Sequence, residues 1–86
     1  MKMAQVIKME VKDVIEALKE MQEDMTVPKN VKTKLSEVEG MLNSGEESSI
    51  KANKALDMLI EVSDDINIQP YVRTRIWNIV SMLEAL

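Results

Sequence analysis

The sequence predicts an all-α fold, an antiparallel up-and-down bundle of four helices, and three observations lead to this prediction. Apolar residues recur at steps of three and four along nearly the whole chain, which is the period of an amphipathic helix. The 86 residues include only 2 glycines and 2 prolines, so little interrupts the helices. Hydrophobic residues make up 45% and charged residues 30%, the balance of one globular domain spanning 1–86.

The first helix is expected from about Met3 to Asp24. Its apolar stripe steps by three and four through Ala4, Ile7, Val11, Val14, Leu18, Met21 and Met25. Thr26 or Val27 is then expected as the N-cap of the second helix. Pro28 suits the first turn of that helix, where its missing N–H costs nothing.

The second helix is expected over about 28–42, with the stripe Val31, Leu35, Val38 and Leu42. Gly40 inside it is compatible with close helix packing, since glycine in a helix otherwise costs about 1 kcal/mol. Two starts compete for the third helix. Ser44 and Glu47 form a capping box, whereas Ser48 would cap a later start. Ile50 lies opposite the apolar stripe, which favours the later start.

The third helix is expected to end near Asp65, and Pro70 then belongs to the start of the fourth. The third stripe is Ala52, Ala55, Leu56, Leu59, Val62 and Ile66, and the fourth is Val72, Ile76, Ile79, Leu83 and Leu86. Isolated helices of this length are unstable, so packing of the stripes must hold the fold. The predicted core contains Val11, Val14, Leu18, Leu35, Val38, Leu42, Leu56, Leu59, Ile76, Ile79 and Leu83.

The two halves of the chain repeat at a period of 41 residues, which predicts two duplicated helical hairpins. The pentapeptide of residues 31–35, VKTKL, matches VRTRI at 72–76, and paired acids precede both turns. A two-helix unit of this length resembles a HEAT repeat. Two units are too few for an open solenoid, so we expect the hairpins to close face to face.

Two segments, VPKNVK at 27–32 and RTRIWNIVS at 73–81, resemble a family of small archaeal proteins. The family is described only as an uncharacterised protein family, and the resemblance covers about residues 10–84. It implies a short four-helix bundle in a cytoplasmic archaeal protein. It implies no activity, substrate or catalytic residue.

Catalysis and metal binding are not expected from the composition. The chain has no cysteine and no histidine, which removes disulfides, thiolate metal sites and the commonest general base. It also lacks a glycine-rich phosphate loop. The carboxylate clusters, Glu20-Glu23-Asp24 and Glu61-Asp64-Asp65, lie largely off the apolar stripes and are interpreted as solvated surface charge. We therefore expect no enzyme, no cofactor, no metal and no small-molecule ligand.

Five basic residues are expected at one end of the bundle, where the second and fourth helices begin: Lys29, Lys32, Lys34, Arg73 and Arg75. This basic end suggests an alternative function as a nucleic-acid or ribonucleoprotein accessory factor that contacts phosphates. The net charge of −4 and the aromatic content of 2% argue against it. Local ion pairs with neighbouring acids are the favoured interpretation.

The single tryptophan marks the favoured candidate site. On a helical wheel Trp77 projects well away from the stripe of the fourth helix, and Arg73, Val80 and Glu84 share its side. Trp and Arg are enriched at binding hot spots, and the alternative interpretation is that Trp77 covers the rim of the core. The sequence thus predicts a protein-interaction module that binds another protein or, as a homodimer, itself. No membrane segment or signal peptide is recognised, so a cytoplasmic location is expected.

Overall fold

The computed structural model describes residues 10–65 and 67–86, and these form four α-helices and no strand. The helices are α1 (Val11–Glu23), α2 (Lys29–Leu42), α3 (Ser48–Ser63) and α4 (Pro70–Glu84). Each helix packs against the next along the chain, and α4 packs against α1. Within the described ranges the diagonal pairs make no comparable approach. The four helices therefore form a closed ring around one core.

The helix starts differ from the predicted ones. Glu10 has an extended backbone, with φ −123° and ψ 157°, so α1 does not run through it from Met3. Its backbone amide donates to Asp13 Oδ2 at 3.0 Å, which fixes the start of α1 at Val11. Residues 1–9 lie outside the described part.

The expected N-caps of α2 and α3 were also wrong. Pro28, rather than Thr26 or Val27, occupies the N-cap of α2, in the extended conformation that proline favours. The later start of α3 is confirmed, but Glu47 is its N-cap and Ser48 its first helical residue. Pro70 is the first residue of α4, as predicted.

The core confirms nine of the eleven predicted residues. Val11 and Leu56 are only partly buried, because both line an open groove beside the first turn of α3. Met25 was expected on the α1 stripe but is fully exposed, since α1 ends before it. Leu86 is exposed beyond the end of α4. Ile66 lies outside the described residues.

The connections between helices contribute to the core as well. Val27 and Ile68 precede α2 and α4, and both are buried. They cover the apolar interior at the end where those two helices begin. Gly40, in contrast, has open space where a side chain would lie, so the expected close packing at this position was wrong.

None of the helices in the described ranges combines the length and the apolar character needed to span a lipid bilayer.

Candidate interaction surface

The predicted interface on α4 separates into an exposed part and a buried part. Trp77 is 45% exposed and Glu84 is exposed, as a surface role requires. Val80 is only 2% exposed, so its prediction as a surface residue was wrong. It extends the buried stripe of α4 towards α3. A polar side chain buried at that position would need a hydrogen-bond partner, whereas valine needs none. Val80 therefore forms the floor of the surface.

Arg73 joins the beginning of α4 to the end of α3. Its Nε donates to the carbonyl oxygen of Ser63 at 2.9 Å, and its Nη2 donates to that of Asp65 at 3.0 Å. The last carbonyls of a helix have no partner within the helix, and a cation there also interacts favourably with the helix dipole. Arg73 thus has a structural role in addition to any binding role.

These hydrogen bonds also define the side of α4 that carries Trp77. Residues 73, 77, 80 and 84 are separated by four, three and four positions, so they lie on one side of the helix. Because Arg73 reaches the end of α3, this side borders the seam between α3 and α4. Trp77 is therefore at the edge of that seam, and Val80 is within it.

Ile60 on α3 is a second exposed apolar residue beside the same seam, and the site prediction did not include it. It is 38% exposed and lies one turn before Ser63, whose carbonyl binds Arg73. The signal was present in the sequence, because Ile60 is a large apolar residue off the α3 stripe. The Trp77 surface is defined here as Ile60, Arg73, Trp77 and Glu84, with Val80 as its floor.

The structure distributes the five residues of the basic end among different seams of the ring. Arg73 lies at α3–α4, whereas Lys34 lines a small cavity between α2 and α3 and forms a long ion pair with Glu37 at 3.7 Å. Lys29 is exposed and Lys32 is partly buried in the first turn of α2.

Arg75 faces the seam between α4 and α1, where its Nη1 lies 2.6 Å from Asp24 Oδ2. Asp24 Oδ1 accepts hydrogen bonds from the Thr26 hydroxyl at 2.6 Å and from the Thr26 amide at 2.8 Å. These bonds from Thr26, together with Arg75, hold the pKa of Asp24 below its ordinary value. Three of the five basic residues thus interact with their own chain.

An apolar groove of about 530 Å³ lies at one edge of the ring. Val11, Leu56 and Leu83 provide its apolar lining, and Ser48, Ser49 and Asn53 provide polar groups. In the described ranges no buried side-chain nitrogen or oxygen lacks a hydrogen-bond partner. No cluster of three carboxylates there could hold a metal ion.

The fold and this surface define a class of protein: a small all-α protein of four helices with an exposed tryptophan beside a helix seam. The chain belongs to the uncharacterised protein family UPF0147, which it matches over residues 1–86. This membership confirms the archaeal family resemblance seen in the sequence.

Relatives in two archaea show the same similarity. A UPF0147 protein of Archaeoglobus fulgidus is 39% identical over 74 residues, which cover 86% of this chain and 85% of that relative. The UPF0147 protein MJ1419 of Methanocaldococcus jannaschii is also 39% identical, with 85% and 80% covered.

Two crystal structures share the fold. A protein from the uncharacterised family UPF0147 of Thermoplasma acidophilum has a TM-score of 0.82 and 36% identity, with 87% of this chain and 89% of that chain covered. The unknown function protein MMP1188 has a TM-score of 0.83 and 31% identity, with 94% and 98% covered. Neither the family nor these relatives carries an assigned activity.

Proposed function

We propose that this protein is a non-catalytic protein-interaction module that binds its partner through the Trp77 surface. The observation that carries the proposal is a half-exposed Trp77 above a buried Val80, with Ile60 exposed on the neighbouring helix. Tryptophan and arginine are enriched in binding hot spots, and a rigid aromatic side chain loses little entropy when it docks. A cytoplasmic location, expected from the sequence, is part of this proposal.

The proposal includes the duplicated, antiparallel architecture, with α1–α2 as the first hairpin and α3–α4 as the second. The burial pattern supports it, because sixteen of the seventeen hydrophobic residues that are buried within 10–65 and 67–86 form pairs separated by 41 positions. The pairs are Val14 and Ala55, Leu18 and Leu59, Met21 and Val62, Val27 and Ile68, Val31 and Val72, Leu35 and Ile76, Val38 and Ile79, and Leu42 and Leu83. Val80 is the unpaired member.

Hydrogen bonds at the turns support the duplication independently. The Thr26 amide donates to Asp24 Oδ1 at 2.8 Å, and 41 residues later the Asn67 amide donates to Asp65 Oδ1 at 2.9 Å. Further along, the hydroxyls of Thr33 and Thr74 each donate to the carbonyl four residues earlier, both at 3.1 Å. Amphipathic periodicity does not require equal turns, so this agreement favours true repeats.

The repeat makes the first hairpin an internal control for the second. Where the second hairpin has Ile60 and Trp77, the first has Lys19 and Ser36. The first hairpin thus buries its core residues with polar side chains at both positions. Burial of the core therefore does not require the exposed apolar pair. This difference supports a role for the pair outside folding.

The two hairpins also differ at Val80, the floor of the Trp77 surface. The position equivalent to Val80 is Glu39, whose Oε1 accepts a hydrogen bond from Gln22 Nε2 at 2.8 Å. A polar contact therefore spans the seam of the first hairpin, whereas an apolar valine fills that of the second. The alternative as a nucleic-acid accessory factor is less well supported, since Arg73 and Arg75 interact with their own chain.

The test is capture of proteins from archaeal cells with three forms of the full chain as bait. Trp77→Ser introduces the residue found at the equivalent position of the first hairpin. Tyr71→Ser is the matched control, because Tyr71 is also an exposed aromatic residue of α4, at 40%, but lies on another side of the helix.

We expect the same proteins to bind to the wild type and to Tyr71→Ser, and to be lost from Trp77→Ser. Circular dichroism of each bait verifies that the helices remain intact. An identical set of proteins on all three baits would refute the proposed role of the Trp77 surface.

A further inference from the structure

We propose that the occupant of the Trp77 surface is a second copy of this chain, with the two α4 helices antiparallel about a two-fold axis. This inference rests on the proposed function and names its partner. It is carried by the distribution of charge along the exposed side of α4. A two-fold axis requires the surface to be complementary to itself after reversal.

The charges of this side meet that requirement. Arg73 lies at its beginning and Glu84 at its end, with Trp77 and Val80 between them. An axis that crosses α4 midway between residues 78 and 79 brings Arg73 opposite Glu84 of the second copy, and the reverse. The same axis places Trp77 of each copy over the part of the α3–α4 seam of the other copy in which Val80 is buried.

The positions of the two charged residues set the length of the contact. Arg73 and Glu84 are eleven residues apart, or about 16 Å along the helix at 1.5 Å per residue. Two ion pairs would therefore flank an apolar centre of about that length.

The charged groups of Arg73 and Glu84 can each form an ion pair with a partner. Arg73 uses Nε and Nη2 to bind the end of α3, and Nη1 takes part in neither bond. Glu84 is exposed and forms no ion pair with any residue in the described part of the chain. A reversed copy supplies an opposite charge at each end.

The small exposed apolar area of this surface favours a weak dimer. Standard protein interfaces bury about 1,200–2,000 Å² in total. Ile60 and Trp77 are the large apolar side chains exposed on this surface, so the interface lies at the lower end of that range. We therefore expect a reversible dimer with a dissociation constant on the order of micromolar, rather than an obligate one.

Sedimentation velocity over a range of concentrations tests the pairing, with the full chain and three variants. Glu84→Lys places a like charge opposite Arg73, and a lysine in the last helical turn does not oppose the helix dipole. Trp77→Ser removes the centre of the interface, and Tyr71→Ser is again the control. We expect Glu84→Lys and Trp77→Ser each to weaken the dimer about tenfold or more, and Tyr71→Ser to leave it unchanged.

The single tryptophan provides a second readout in the wild type and in Glu84→Lys. On dimerisation of the wild type, Trp77 leaves water and its fluorescence emission should shift to shorter wavelength as concentration rises. In Glu84→Lys the same shift should require about tenfold more protein.

A wild-type chain that remains monomeric at about 1 mM, far above the expected dissociation constant, would overturn the pairing. A dimer whose dissociation constant changes equally in Glu84→Lys and Tyr71→Ser would also overturn it. The proposed function fails separately. If the wild type is monomeric but Trp77→Ser still loses captured proteins, the surface binds a different protein and only the self-pairing is wrong.

Discussion

Arg75 of α4 forms an ion pair with Asp24 at the end of α1, with Nη1 and Oδ2 2.6 Å apart, although the two residues are 51 positions apart in sequence. The pair joins the last helix to the first, where the ring of helices closes. It also brings together two residues that the sequence analysis did not pair. The pKa of Asp24 is lowered by this pair and, more strongly, by Thr26.

The lowered pKa of Asp24 predicts a defined pH dependence of stability. A carboxyl group whose pKa is lower in the folded state than in the unfolded state stabilises the fold at pH values above the unfolded-state pKa, here 3.8. That contribution is lost as the pH falls through the folded-state pKa. The difference in unfolding free energy between the wild type and Asp24→Asn should therefore be constant above about pH 5 and shrink below pH 4. Urea denaturation at several pH values measures it.

Two further variants separate the causes of this shift. The hydrogen bond from the Thr26 hydroxyl is the largest single cause of the lowered pKa and Arg75 is a further one, so Thr26→Ala and Arg75→Gln should each reduce the pH dependence. An unchanged pH dependence in Thr26→Ala would contradict this role of the hydroxyl.

Leu18 and Leu59 provide a test of the proposed duplication. Both are fully buried, in α1 and α3, at positions 41 apart. Truncation of either to alanine should lower the unfolding free energy by about 2–5 kcal/mol, because it removes buried methyl groups and leaves a cavity. If the hairpins are equivalent, chemical denaturation should give costs within about 1 kcal/mol of each other. Clearly unequal costs would argue against equivalent packing.

Arg73 should contribute to stability through the carbonyls of Ser63 and Asp65. Arg73→Ala should lower the unfolding free energy by about 1–3 kcal/mol, since two carbonyls near the end of α3 lose a charged donor. Lys32, which lies 41 positions before Arg73, makes no such bond within the described residues. Lys32→Ala should change the unfolding free energy by at most about 0.5 kcal/mol. Equal losses in a thermal or urea unfolding experiment would contradict the capping role.

Val80 and Trp77 should respond differently to truncation. Val80→Ala removes buried methyl groups from the α3–α4 seam and should cost about 1–3 kcal/mol of stability. Trp77→Ser, measured in dilute protein, should cost less than about 1 kcal/mol because the side chain is half exposed. If urea denaturation shows the larger loss for Trp77→Ser, Trp77 covers the rim of the core, as the alternative interpretation held.

The fold class and most of the core followed from the sequence, because periods of three and four residues determine which face of a helix is apolar. Leu18, Leu59 and Ile76 were predicted on that basis and are fully buried. The same rule failed for Met25, because the helix ends before it. An apolar stripe predicts buried residues only as far as the helix itself extends.

The candidate surface was predicted in part. Trp77 lies off the apolar stripe of its own helix, and a helical wheel is sufficient to find such a residue. Val80 lies on the same side of α4, but its burial depends on α3, which a wheel of one helix does not include. Ile60 was missed as a member of the surface because it belongs to another helix.

The sequence by itself determined the helical class and the positions of most helices, since both depend on local periodicity. Only the tertiary structure decided the roles of Arg73 and Arg75. Both appeared as members of one basic cluster, but one binds the end of α3 and the other binds Asp24. The partner of a long charged side chain depends on which helices become neighbours, and packing of the whole ring determines that.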